Sequence, residues 1–180
     1  GVMDSPDPHW IRVAVDEHEA QLVRYASRLL GDVERARDVV QDTFLKLCRA
    51  DRASVDGHVT EWLFTVCRNG ALDVRRKEKR TTTAPQTGLA ALAGPDAQPD
   101  ARLEQDETMR SVLDWIGMLP DSQQEVLRLK FQNGLSYKEI AAITQRTVNH
   151  VGVLIHNGMK ALRAKAAATS APIPSGRSAS

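Results

Sequence analysis

Asn149, Gly152, Val153, His156, Lys160 and Arg163 recur at helical spacing near the C-terminal end of the sequence, with His150 beside the first of them. Amide and imidazole groups pair with base edges, and cations pair with phosphates, so this stripe has the chemistry of a DNA-reading face. The stretch that carries it, LSYKEIAAITQRTVNHVGVLIHNGMKALR (135–163), reads as a helix-turn-helix. Ser136 and Glu139 are spaced as a capping box, and Leu135 and Ile140 as a hydrophobic staple. Thr147 is placed to cap the second helix, whose apolar positions Val148, Val151, Ile155 and Leu162 form an inward stripe. Ser136, Tyr137 and Thr147, at the two helix starts, join the candidate DNA contacts. A helical hairpin that only packs would share this periodicity, so the rest of the chain has to decide.

A second group of DNA-binding candidates is Arg68, Asn69, Arg75, Arg76, Lys79 and Arg80. It ends in RRKEKR (75–80), five bases and one acid. Cations in a helix's last turn suit its dipole, but five in six residues exceed that need. The net charge of +1 conceals a pattern: +4 over residues 75–80, −6 over 96–125 and +6 over 126–165. Two basic blocks around an acidic one can hide a nucleic-acid binder behind a neutral total.

The elements that position these groups are helical. Only eight of the 180 residues are aromatic, β-branched runs are scarce, and Ala, Leu, Arg, Glu and Gln abound. The expected fold is all-α: two small helical domains joined by a flexible linker, the second a four-helix domain with the helix-turn-helix. The first domain spans 10–80. Its first helix, 10–30, turns Val15, Leu22, Tyr25 or Ala26, and Leu29 inward and stops at Gly31. A second, capped by Asp32, runs to about Arg49 with Val33, Ala36, Val40, Phe44 and Leu47 inward. Its outward positions Asp38, Gln41, Asp42 and Leu45 mix acid with apolar surface, which pattern alone reads as a solvated face. A polar stretch, DRASVDGH (51–58), interrupts the helices before a third one runs to the basic cluster, Trp62, Leu63 and Val66 packing at its start. Residues 81–102, rich in Thr, Ala, Pro and Gly, read as the linker. The second domain spans 103–165. Leu103, Met109, Val112, Leu113 and Ile116 belong to its first helix, and Asp121 with Gln124 is spaced as a further capping box. The tail, 166–180, reads as disordered.

Other chemistries find little support. Cys48 and Cys67 form no CxxC and read as thiols of a reducing compartment. The five histidines, His9, His18, His58, His150 and His156, have no metal-ligand spacing, and no phosphate loop or nucleophile elbow is present. The expectation is no catalytic residue, no metal and no cofactor. No stretch approaches the roughly 18 apolar residues of a membrane span, and the start lacks a signal-peptide core, so a cytoplasmic protein without membrane insertion is expected. Gly1-Val2 before Met3 reads as a tag scar.

In this organisation the sequence resembles the extracytoplasmic-function group of bacterial RNA polymerase sigma factors, from about residue 15 to 165. DVERARDVVQDTFLKL (32–47) looks like that family's polymerase-binding helix, and WLFTVCRNGALDVRRKEKR (62–80) like its minus-ten segment. LPDSQQEVLRLKFQNGLSYKEIA (119–141), with the helix that follows, looks like its minus-thirty-five reader. The resemblance implies a protein that binds core RNA polymerase and promoter DNA, both duplex and melted non-template strand. Asp38, Gln41, Asp42 and Leu45 would dock on the polymerase clamp, and loop 51–58 would hold a flipped base. The basic helix would support the upstream edge of the melted region. The linker would thread near the nascent RNA, and an anti-sigma factor is a further implied partner.

One stretch departs from the family. His150-Val151-Gly152-Val153-Leu154-Ile155 stands where Thr-Val-Lys-Ser-Arg-Leu is usual, so two cations are missing. Gly152 costs about 1 kcal/mol of helix propensity against Ala. Weaker and less salt-sensitive DNA binding is expected. Gly152 is expected to permit close approach to DNA, and Val153 to meet a thymine methyl. The rival readings are a free-standing helix-turn-helix regulator, which would bind duplex without polymerase, and a helical adaptor with no DNA role.

Overall fold

The computed structural model describes residues 8–81 and 106–170, and these form eight helices without a strand. In chain order they are α1 (Pro8–Leu30), α2 (Val33–Arg49), α3 (Arg52–Val55), α4 (Val59–Thr81), α5 (Asp106–Gly117), α6 (Asp121–Phe131), α7 (Tyr137–Thr144) and α8 (Val148–Ser170). The chain divides into two compact units between Pro99 and Asp100.

In the first unit α1, α2 and α4 pack on one another. Leu22 and Ala26 of α1, Val40 and Leu47 of α2, and Leu63, Phe64 and Ala71 of α4 are fully or almost fully buried. Tyr25 meets Phe64 edge to face, ring centres 5.3 Å apart. The helix boundaries follow local chemistry. Gly31 adopts φ 76°, and its N–H closes α1 on the Ser27 carbonyl. The Asp32 carboxylate accepts the Glu34 N–H and opens α2, as expected from the sequence.

The stretch 51–58 is more ordered than its polarity suggests. It contains α3, capped by Asp51, whose carboxylate accepts the Ala53 N–H, and pinned by the fully buried Val55. One apolar residue amid seven polar or small ones leaves no periodicity to read. His18 is also inward. Its Nδ1 lies 2.9 Å from the Ala14 carbonyl and its Nε2 2.8 Å from the Thr60 hydroxyl, so it joins α1 to α4.

In the second unit α6 and α7 pack on α8, and α5 packs on α6 and α8. Leu127, Leu129, Ile140, Ile143 and Val151 are fully buried between them. The capping box at Ser136 and Glu139 is complete in both directions, at 3.1 and 2.8 Å. The one expected at Asp121 is not formed. The ladder starts a residue earlier, with Gln124 N–H donating to the Pro120 carbonyl, so Pro120 is the N-cap and Asp121 lies within the first turn. The Gln124 side chain donates instead to the Leu119 carbonyl.

Helix α8 runs to Ser170, taking in the first five residues of the expected disordered tail, because Ala164 and Ala166–Ala168 are strong helix formers. Residues 171–180, and the expected linker apart from Thr81, which ends α4, lie outside the described residues, as do Leu103 and the start of its helix.

The helix-turn-helix corner turns on Gln145, the C-cap of α7, at φ 58° and ψ 44°. A side chain in this left-handed conformation is strained, and Gln145 is exposed. Gln145→Gly is expected to stabilise the second unit by about 0.5–1 kcal/mol, read as a shift in urea midpoint without a change in slope. A lowered midpoint would show that the Gln side chain contributes more than its strain costs.

Candidate nucleic-acid and protein interfaces

Four side chains of α2 remain outward when its inner face is packed. Asp38, Gln41, Asp42 and Leu45 are all exposed, Leu45 by 49%. At about 100° per residue they share an arc of roughly 100°, opposite Ala36, Val40, Phe44 and Leu47. Lys46 reaches back to Asp42 at 3.2 Å, a solvent-exposed pair of small worth. The surface is an acidic rim around one protruding leucine.

Helix α4 sorts its two jobs by face. Arg68, Asn69, Arg75, Arg76, Lys79 and Arg80 fall within an arc of about 140°, beside the arc that buries Leu63, Phe64, Cys67 and Ala71. Asn69, Arg75, Arg76, Lys79 and Arg80 are exposed, and Arg68 is half-buried. Asp73 sits at the border of this face. Lys77, 3.4 Å away, and Arg76, 3.5 Å away, hold its carboxyl below the usual range. Glu78, on the far side, pairs with Arg35 of α2. The two acids of this segment thus lie beside or behind the cationic arc. Burial pushes the Cys67 thiol up to about 12, against a hydrogen bond with Thr43 that lowers it, so it stays protonated and packs as a small apolar group.

The second unit brings the helix starts of α7 and α8 together. The Thr147 hydroxyl accepts the His150 N–H at 3.0 Å, capping α8 as its position implied. Ser136 and Thr147 are therefore occupied as caps. Between them Tyr137, Val148, Asn149, Gly152, Val153 and His156 line an open groove of about 400 Å³. His150 and Lys160 are exposed beyond it. Arg146, in the turn, pairs with Glu125 of α6 at 3.4 Å, a half-buried link that fixes the corner to the helix behind it.

One expectation needs correction here. Val148, assigned inward, is 48% exposed and belongs to the groove, because it is the first residue of α8, where the packing of the helix has not begun. The inward stripe is instead Val151, Leu154, Ile155 and Gly158, with Leu162 half-buried. A Cβ at Gly152 would lie 3.7 Å from Tyr137 Cε2, an ordinary contact, so the glycine and the tyrosine ring edge stand side by side. Lys130 Nζ stands 5.3 Å from the centre of that ring. Lys130 escaped sequence reasoning because it lies on another helix. In the first unit the Arg52 guanidinium lies 4.9 Å over the Trp10 ring, tying the 51–58 loop to α1.

Among the described residues no three His, Cys, Asp or Glu side chains gather as a metal site, and no helix is long and apolar enough to cross a membrane.

Comparison with known proteins matches both units. Sigma-70 region 2 matches residues 14–81, and Sigma-70 region 4 matches residues 109–162, together more than half of the chain. The extracytoplasmic-function RNA polymerase sigma factor SigL of Mycobacterium tuberculosis is 29% identical over 155 residues, 85% of this chain and 86% of its own. SigW of Bacillus subtilis is 27% identical over 158 residues, 83% of this chain and 84% of its own. In fold, the chain is similar to the sigma factor RpoE of Bartonella quintana, solved with the anti-sigma factor NepR, at a TM-score of 0.62 and 22% identity over 87% of this chain and 93% of that one. With two sigma modules in this order and relatives matched along most of both chains, the protein belongs to the extracytoplasmic-function group of RNA polymerase sigma factors.

Proposed function

We propose that the chain joins core RNA polymerase through the outward face of α2 and carries the enzyme to promoters, where α4 handles melted DNA and α8 reads the upstream duplex. The observation that carries the division of labour is the separation of faces. Each of these helices buries one arc in its own unit and leaves a chemically distinct arc to solvent. Among the described residues, no packing of Asp38, Gln41, Asp42 and Leu45 explains an apolar residue beside two acids. Arg75, Arg76, Lys79 and Arg80 suit the phosphates of a strand, and loop 51–58, steadied by Val55, suits a base extruded from the stack. Selecting unpaired bases lets binding energy drive strand opening, without a chemical step by this chain. Asn149 and His150, at the tip of α8, would meet base edges, and Lys160 only phosphate.

The reading implies a cytoplasmic protein. It also implies an inhibitory partner of the kind solved with RpoE, an anti-sigma factor. A free-standing regulator would need to bind duplex alone, for which the recognition helix, short of two cations, is poorly furnished.

Asp42→Arg tests the docking face. The side chain is exposed, so stability should change by no more than about 0.5 kcal/mol. Core polymerase binding should fall about tenfold or more, since a rim charge is reversed and a like-charge contact introduced. Unchanged capture of core enzyme by this variant would remove α2 from the interface.

A further inference from the structure

A helix made to grip phosphates would not need the surface that opens α8. Tyr137, Val148 and Val153 are 38%, 48% and 49% exposed, yet they share one groove with Asn149, Gly152 and His156. The Tyr137 ring edge stands beside Gly152, 3.7 Å from where a Cβ of that residue would lie, so ring and glycine form one wall. The surroundings are cationic, with Lys130 near the ring, Lys160 one turn beyond His156, and a net +6 over residues 126–165.

We propose that this groove recognises the C5-methyl group of a pyrimidine in the major groove of the upstream duplex. The proposal rests on the sigma-factor reading above and names what its second unit selects. Of the groups that base pairs present in the major groove, only this methyl is apolar, and donors and acceptors lie directly beside it. Val148, Val153 and the Tyr137 ring match the first. Asn149 and His156 on the same rim match the second. An apolar docking site for another protein would not call for an amide, an imidazole and a cationic setting, whereas a polyanion does.

The test uses holoenzyme assembled from the full chain and core polymerase. An upstream element is selected from randomised duplex, and each thymine is then replaced by 2′-deoxyuridine, which removes the methyl and no hydrogen-bonding group. Binding should weaken about fourfold at one or two positions, the value of one buried methyl, and stay level elsewhere. Val153→Ala, an exposed change that should not disturb folding, should shrink that ratio towards one. Cytosine and 5-methylcytosine at the sensitive position identify the bearer. A gain on methylation shows that the methyl suffices, and no gain shows that thymine's own edge is read with it. Equal binding of thymine and deoxyuridine throughout, a selected element without thymine on either strand, or a ratio unmoved by Val153→Ala overturns the methyl reader while the sigma assignment stands. Failure of the unmutated chain to support promoter-specific transcription would overturn both.

Discussion

Replacing Arg75, Arg76, Lys79 and Arg80 with Gln in one variant is expected to lower open-complex formation by a hundred- to a thousandfold, at about 1 kcal/mol for each exposed cation–phosphate pair. All four are exposed on one arc of α4, whose buried arc would be untouched. If each meets a phosphate of a single strand, the salt dependence should flatten as well, by about 0.7 per lost contact and so about 3 in slope. Lys79 and Arg80 also face the helix's C-terminal dipole, and their loss should fray the last turn by about 0.3–1 kcal/mol each, which amide exchange would register. That fraying cannot imitate the main effect, because the core residues Leu63, Phe64, Cys67 and Ala71 lie about two to five turns earlier. The decisive comparison is between templates. A pre-melted template presents the strand without the opening step, and its loss should differ from that on duplex. Equal losses on the two would show that the basic arc does not distinguish melted from paired DNA.

What the sequence disclosed, and what it withheld, divides by the distance over which each feature is determined. Asp32 and Ser136 were legible because a cap is settled by bonds between residues two or three apart. The outward faces of α2 and α4 were legible because each helix is long enough for its inner stripe to repeat. The Asp121–Gln124 pair has the same spacing as a capping box and failed. The carbonyl of Pro120 had already accepted the first ladder bond, a fact about the preceding residue's backbone. Val148 was misplaced for a related reason. Periodicity assigns it to the inner stripe, but the first residue of α8 is 48% exposed and lines the groove instead. The meeting of Tyr137, Gly152 and Lys130 was invisible, since it depends on where α6 and α7 cross α8. The charge pattern of the chain pointed to DNA. The apolar groove required the packed unit.

Gly158→Val is expected to destabilise the second unit by about 2–3 kcal/mol, the upper range for forcing extra carbons into a packed core. A Cβ on Gly158 would lie 2.7 Å from Leu127 Cδ1 and 3.3 Å from its Cγ, with Gln123 Cβ at 3.7 Å. Real Cβ contacts do not come so close, and Leu127 is fully buried, so its side chain has little room to withdraw. Glycine here lets α6 and α8 approach; a glycine inside an otherwise helical pattern is the one sequence sign of it. Two opposing effects meet at this position. Any residue other than glycine or proline gains helix propensity, up to about 1 kcal/mol for Ala, but valine gains less and adds two methyl groups to the clash. Gly152 is the internal control on the same helix, since a Cβ there meets only ordinary contact with Tyr137. Gly152→Ala should therefore raise stability where Gly158→Val lowers it. For a domain of this size each kcal/mol moves the unfolding midpoint by about 4–8 °C, so Gly158→Val should fall by roughly 10–20 °C. Site-resolved amide exchange should place the loss in α6 and α8, with α1, α2 and α4 unaffected because they belong to the other unit. The loss of promoter-specific transcription should follow the same temperature curve, because Asn149 and Val153 are held in place by the helix that Gly158 seats. If Gly158→Val melts with the unmutated chain, the close approach of α6 and α8 does not limit the stability of this unit.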